Sequence, residues 1–301
     1  MLRVFRKAIL IGYWQGTMGF RWAWLPGIFL TTTLAFAETH SCPVTEFRAS
    51  SQALDKGRIE SVLTLARVFR TKAKGQSQEC AEQLFVIFRT FYYEPLSQFQ
   101  EAEGITRLPY PLEDTRKKLL QARLSRVGWA LRVTEGSYYV GEAGAWWRSR
   151  FGPLLPRSWD GYFHQREVEI REGFSEDAGL LISWERLRQR ITFWEGFIRR
   201  HPHFPANEEV SSYLDIYIRT FLTGVDNSRI ERDFDDPTLR TEVKIAYEAF
   251  LRNNKGSKYY DIVKGYYEVL KRNNFRVTRE AKAFLESKRV KTMLAVQPPT
   301  Y

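Results

Sequence analysis

The sequence predicts an all-α chain of helical hairpins, interrupted once by an irregular segment rich in glycine and tryptophan. Three observations carry this. Apolar residues recur at spacings of three and four along most of the chain. No extended stretch alternates apolar and polar residues as a half-buried strand would, apart from a short candidate hairpin around Tyr138 to Gly141. An aromatic pattern near Trp194 returns near Tyr247, and a chain of 301 residues that is 44% hydrophobic and 15% aromatic can bury a sizeable core.

Taken in order, residues 57–72 place Ile59, Val62, Leu63, Ala66 and Phe69 on one helical face, and residues 79–93 do the same with Leu84, Phe85, Phe88, Phe91 and Tyr92. Glycines and prolines punctuate 95–111. A basic amphipathic helix is expected over 113–133, ending near Gly128. Residues 134–161, which begin TEGSYYVGEAGAWWRSRFG, form the irregular stretch. Helical periodicity resumes at 160–172, 180–200, 207–222, 239–254, 257–273 and 278–289.

The second half repeats itself. WEGFIRRHPHF from Trp194 and YEAFLRNNKGS from Tyr247 share an aromatic, Glu, a small residue, Phe, an aliphatic and Arg in the same six places. Counted from Phe197 and Phe250, the match continues with Val210 and Val263, Tyr213 and Tyr266, then Tyr217 and Leu270, offsets that form one face of a following helix. A fainter copy begins at Phe69. AYEAFLRNNKGSKYYDIVKGYYEVLKRN resembles the helix-turn-helix of tetratricopeptide repeats in the form found in bacterial envelope proteins, where aromatic-xx-Phe-Leu-xxx-Pro-x-Ser closes one helix and opens the next. Tyr247, Phe250, Leu251 and Ser257 match that motif, as do Trp194, Phe197, Ile198 and Pro202; Lys255 occupies its proline position. The resemblance covers about residues 180–290. Its pitch, 53 residues from Phe197 to Phe250, exceeds the family's, which is about 34. It implies hairpins that stack to share one core, with the repeated aromatics inside it.

The N-terminus has a different character. Arg3, Arg6, Lys7 and Arg21 precede any acid, then LPGIFLTTTLAFA ends in Ala35-Phe36-Ala37. That order is the secretory signal pattern, with cleavage expected after Ala37; a start at Met18 would give a signal of ordinary proportions. The expected division is therefore signal peptide 1–37, N-terminal helical region 38–133, irregular segment 134–179, helical-repeat region 180–290 and flexible tail 291–301. Without residues 1–37 the net charge is +7, against +11 for the whole chain. This moderately basic balance suits anionic partners in the envelope, and no nucleic-acid motif is present. Export makes a Cys42–Cys80 disulfide the expectation. An uncleaved N-terminal segment would instead make this a membrane-associated envelope protein, helped by the basic helix 113–132.

Candidates for chemistry are few. Of His40, His164, His201 and His203, only the last two are close in sequence, and Pro202 between them opposes joint metal ligation. DNSRIERDFDDP (226–237) lacks the alternating oxygens and central glycine of a calcium loop. No nucleophile, phosphate-loop or dinucleotide motif occurs, so no cofactor and no metal are expected. Glu135 is the one catalytic candidate. It follows a threonine and so resembles the catalytic glutamate of lytic transglycosylases, and with Glu142 and the neighbouring aromatics it has the composition of a carbohydrate-cleaving site. Tyr138, Tyr139, Trp146, Trp147 and Arg148 are the binding candidates. The expected role is noncovalent: a scaffold or adaptor for an envelope protein, a peptide or a cell-wall polymer. The alternative is a cell-wall glycan hydrolase using Glu135.

Overall fold

The computed structural model describes residues 41–290. The signal peptide expected over 1–37 and the tail expected over 291–301 lie outside the described residues. Within them the chain is mostly helical, with eleven α-helices and three short antiparallel hairpins. No helix among them is long and apolar enough to cross a membrane.

Helices α1 (Val44–Gln52), α2 (Ile59–Ala73) and α3 (Gln78–Ala102) pack together, and their shared face is aromatic. Phe69 lies edge-on to Phe47 and Phe85, and Phe85 packs against Trp159. Helix α3 runs through Pro95 instead of ending in the punctuation expected over 95–111. A helix-interior proline costs about 3 kcal/mol, and here Leu96 and Phe99 continue the buried face beyond it, which offsets that cost. The Cys42–Cys80 disulfide is formed and fastens the segment before α1 to the first turn of α3.

The helix expected over 113–133 is shorter, α4 (Asp114–Ser125), with Glu113 accepting from the amides of Thr115 and Arg116 at its start. Gly128, at φ 78°, turns the chain out of the helix. Strand β1 (Trp129–Thr134) then pairs antiparallel with β2 (Ser137–Glu142), a longer hairpin than the one expected around Tyr138. It puts Trp129 and Leu131 on the same face as Tyr138 and Val140, and that face lies on α3 and the 3-10 turn at Ile105–Arg107. Most of what was expected to be irregular is therefore regular: after β2 come α5 (Ala145–Phe151), a 3-10 turn and α6 (Arg157–Glu172). Glycines signal a tight turn or a close approach as readily as disorder, and here Gly128 and Gly144 sit under Trp146 and the α6 backbone.

Beyond α6, two joints share one form. Gly173 and Gly224, both at φ 73°, end α6 and α8 (Asn207–Thr223), and each leads into a hairpin of two-residue strands: β3 (Ser175–Glu176) with β4 (Gly179–Leu180), and β5 (Gly224–Val225) with β6 (Ser228–Arg229). The hairpins touch, Asn227 N–H donating to Ala178 O at 2.9 Å and Leu180 N–H to Ser228 Oγ at 2.8 Å. Helix α7 (Trp184–Arg200) packs on α8, α9 (Thr241–Asn253) on α10 (Tyr260–Arg272), α10 on α11 (Arg279–Ser287), and α7 also meets α9. Phe197, Phe250, Tyr213 and Tyr266, the aromatics at shared offsets, are all buried.

Two stability measurements follow. The disulfide closes a loop of 38 residues, so opening it with reductant, or replacing both cysteines by alanine, should cost about 4 kcal/mol and lower Tm by on the order of 10 °C in a circular-dichroism melt. An added Cβ at Gly128 would meet the Trp146 ring at 2.5 Å, whereas one at Gly136 (φ 74°) meets nothing within 4 Å. Gly128→Ala should therefore destabilise by about 3 kcal/mol and Gly136→Ala by about 1 in chemical denaturation; equal losses would refute the close approach of Trp146.

Candidate functional site

The residues singled out in the sequence separate. Glu135 and Gly136 form the two-residue turn between β1 and β2, both at positive φ (46° and 74°), and both are exposed. Glu142 lies at the far end of β2, buried, accepting a hydrogen bond from Tyr93 OH at 2.7 Å. Seven residues of strand and turn place the two carboxylates about 20 Å apart, whereas a pair flanking one glycosidic bond stands about 5–9.5 Å apart. Glu135 thus sits in an exposed turn, away from Glu142.

The binding candidates divide as well. Tyr138 is interior, its hydroxyl accepting from Leu112 N–H at 2.9 Å. Trp147 is interior, its ring 4.3 Å from that of Tyr92 and edge-on to Phe85. Neither can touch a partner, because the hairpin and α5 turn these side chains onto α3. Trp146 is half-buried, donating from Nε1 to Arg126 O at 3.2 Å. Tyr139 is half-buried on the opposite hairpin face, and the exposed Arg148 pairs with Asp160 at 2.7 Å. The tryptophan-rich stretch is chiefly core.

What the sequence concealed is a seam of buried charge. Glu169, 3% exposed, accepts from Trp194 Nε1 at 2.7 Å, Gln165 Nε2 at 2.8 Å, Tyr217 OH at 2.9 Å and Arg166 at 3.2 Å. Glu209 accepts from Tyr162 OH at 2.7 Å and Tyr213 OH at 2.5 Å and is ion-paired with Arg89. Arg190, 1% exposed, donates to Glu172 at 2.9 Å and to Gly173 O at 2.7 Å. The signal for this was present: Trp159, Tyr162, Arg166 and Glu169 follow one another at spacings of three and four, so polar residues occupy the core register of α6. The cavity among Arg89, Tyr93, Glu142, Tyr162 and Arg166 has a volume of only about 10 Å³, about one water's worth. The seam joins elements and admits no substrate.

A second cavity is open and larger, about 390 Å³, within the usual range for a ligand site. It lies between the last turns of α7, the middle of α8 and the α9–α10 loop. Leu214 and Ile198 form its apolar floor, and Arg199, Lys255 and Lys258 its rim. The loop wall is fastened to α7. Asn254 donates to Thr192 Oγ1 at 2.9 Å and accepts from Arg188 at 3.2 Å, and Lys258 N–H donates to Glu195 Oε1 at 2.5 Å. Glu195, the acid among the lining residues, thus accepts one backbone bond in the loop wall. Lys258 Nζ sits over the Tyr259 ring, and Arg199 and Lys255 have no carboxylate partner among the described residues.

Metal chemistry has no assembled donors: no group of three or more His, Cys, Asp or Glu among the described residues could hold an ion. Three of the five acids of 226–237 are engaged locally, Glu231 with Arg229, Asp233 with Phe234 N–H and Asp236 with Thr238 N–H. His201 packs at a tilt against Phe197, the ring centroids 4.8 Å apart. Neither a model of a known protein family, nor a curated protein, nor a solved structure matches this chain.

Burial pushes the Glu209 carboxyl up, but the Arg89 guanidinium and the bonds from Tyr213, Arg89 and Tyr162 outweigh it and hold the group below the usual carboxylate range. A folded pKa below the unfolded one adds stability that is complete above the unfolded value and disappears as pH falls through the folded one. Glu209→Gln, which leaves the largely buried Arg89 without its counter-charge, should cost about 2 kcal/mol at neutral pH. The deficit should narrow on acidification, and urea unfolding of both proteins across pH measures it. A difference independent of pH would show that the ion pair contributes nothing.

Proposed function

We propose that the protein is an exported, noncovalent scaffold that holds an acidic peptide segment of an envelope partner in the groove between α7, α8 and the α9–α10 loop. The groove carries this reading. It combines an apolar floor with cations that lack internal partners, and its loop wall is tied to α7 at Thr192, Arg188 and Glu195. A carboxylate entering it would meet Arg199 and Lys255 beside Ile198 and Leu214, so an acidic side chain next to an aliphatic one fits both halves of the site. Pre-anchored walls lower the ordering cost of binding. Export is supported by the N-terminal segment and by a disulfide, which persists in oxidising compartments.

Fluorescence anisotropy with a labelled peptide of alternating glutamate and leucine tests the reading, beside a lysine–leucine peptide of equal length and soluble peptidoglycan fragments. The acidic peptide should bind best, weaken with salt, and lose on the order of 100-fold in affinity in the Arg199→Glu/Lys255→Glu protein, as expected when two charge pairs become repulsive. Equal binding of both peptides, preference for peptidoglycan, or indifference to the double substitution would each overturn it. Both side chains are exposed, so the substituted protein should melt as the unmodified one does.

A further inference from the structure

The basic helix α4 contributes little to the core, and the groove does not use it. Of its twelve residues only Leu124 is buried. Leu119, in contrast, is 69% exposed and follows directly on Arg116, Lys117 and Lys118, all exposed. Helices retained at a protein surface usually turn their leucines inward, whereas Leu119 is left in water beside three consecutive cations.

Between residues 113 and 132 stand six cations and two acids. Glu113 is spent on the helix cap. Arg123 is paired with Glu103 at 2.7 Å and lies over the Phe99 ring, and Arg132 donates to Glu142 O at 2.8 Å. Arg116, Lys117, Lys118 and Arg126 are left with no carboxylate partner among the described residues. Helix α4 is fixed along the edge of β1, where Leu131 N–H donates to Gln121 Oε1 at 2.9 Å. The hairpin and the loop before α4 expose two more apolar side chains, Val133 and Tyr110. Val133 stands opposite Tyr138, and the Tyr110 ring lies 5.7 Å from that of Tyr138.

We infer that α4, with Tyr110 and Val133 at its N-terminal end, is a docking face for an anionic lipid surface. Lysines and arginines without carboxylate partners would be drawn to anionic headgroups, with single apolar side chains and a tyrosine at the margin adding a smaller contribution at the boundary with the acyl chains. Phosphate-bearing headgroups would neutralise Arg116, Lys117, Lys118 and Arg126, while Leu119 leaves water. A surface of acids alone would satisfy the cations and leave Leu119 and Tyr110 in water, whereas a lipid surface takes up both. The contact is reversible and peripheral, and it is independent of the groove.

Sedimentation with vesicles tests it, using the full chain and vesicles of phosphatidylcholine alone or mixed with phosphatidylglycerol. The protein should sediment with the mixed vesicles more than with the neutral ones, and less as salt rises. Each cation near such a surface contributes about 5-fold to the affinity. The Arg116→Ser/Lys117→Ser/Lys118→Ser protein should therefore bind the mixed vesicles on the order of 100-fold more weakly. Leu119→Ser should weaken binding while keeping the same salt dependence. All the proteins carry the same N-terminal residues, so differences among them report α4 alone, and matching circular-dichroism melts confirm folding. Equal binding to both vesicle types, an unaffected triple variant, or retention on peptidoglycan sacculi without retention on vesicles would overturn the inference.

Discussion

Glu169 is a carboxylate almost wholly removed from water, and much of the surrounding architecture is the set of donors its charge demands. An ionised carboxylate in an apolar interior is tolerated only when hydrogen bonds and counter-charge replace its hydration. Here the replacements come from three helices: Gln165 and Arg166 on α6 itself, Trp194 on α7 and Tyr217 on α8. The same device recurs around it. Trp159 of α6 donates to Glu82 of α3 at 2.6 Å, Tyr162 of α6 to Glu209 of α8, and Tyr93 of α3 to Glu142 of β2. Aromatic side chains thus act twice, filling volume with their rings and satisfying buried acids with their hydroxyl and indole groups. Buried ion pairs add little net stability compared with apolar packing, but a slipped register leaves them uncompensated. Helix α6 takes part in most of these bonds, and through it the N-terminal helices and α7–α8 are held in one arrangement.

That arrangement reaches the surface groove through α7. Trp194 points inward to Glu169, which fixes the rotation of the helix. With that rotation set, Glu195 faces the α9–α10 loop and receives Lys258 N–H, while Ile198 and Arg199 line the groove one turn later. Interior chemistry and exposed chemistry are therefore consecutive on one helix. Acids inside the protein are matched closely to donors, and several cations outside it are not. The basic balance of the sequence is in this sense located: part of it sits at the groove rim and part on α4.

The sequence made the helices legible because burying one stripe of a helix imposes a period that composition alone cannot hide. Residues 207–222, 239–254 and 257–273 were bounded to within three residues of α8, α9 and α10. The Cys42–Cys80 pairing was equally visible. The hairpin β1–β2 was mostly hidden, because Leu131 and Val133 prolong the apolar spacing of α4 and only Gly128, with its positive φ, separates helix from strand. Trp147 and Tyr138 looked like a binding surface because aromatic residues beside glycines suit either role; the deciding contact is long-range, between α5 or β2 and α3 or the 108–113 loop. The groove was illegible for the same reason: Leu214 and Lys255 come together only when α8 and the α9–α10 loop both pack on α7.

The 53-residue spacing of the aromatic motifs has a physical origin in the joints. Helical hairpins of tetratricopeptide size repeat about every 34 residues because their connections are short. Here α8 ends at Thr223 and α9 begins at Thr241, so the 17 residues 224–240 intervene. They make up part of the 53 residues that separate Phe197 from Phe250. The inserted residues are not slack chain. They begin at Gly224, form the β5–β6 hairpin, bond to the β3–β4 hairpin through Asn227 and Ser228, and close on themselves through the bridge of Glu231 with Leu239 before α9 begins. Only a residue at ease with positive φ can start such a connector directly from a helix end, and a Cβ at Gly224 would stand 2.7 Å from Ser228 O. The segment between α8 and α9 is therefore ordered: a glycine-initiated hairpin, hydrogen-bonded to a counterpart that begins 51 residues earlier at Gly173.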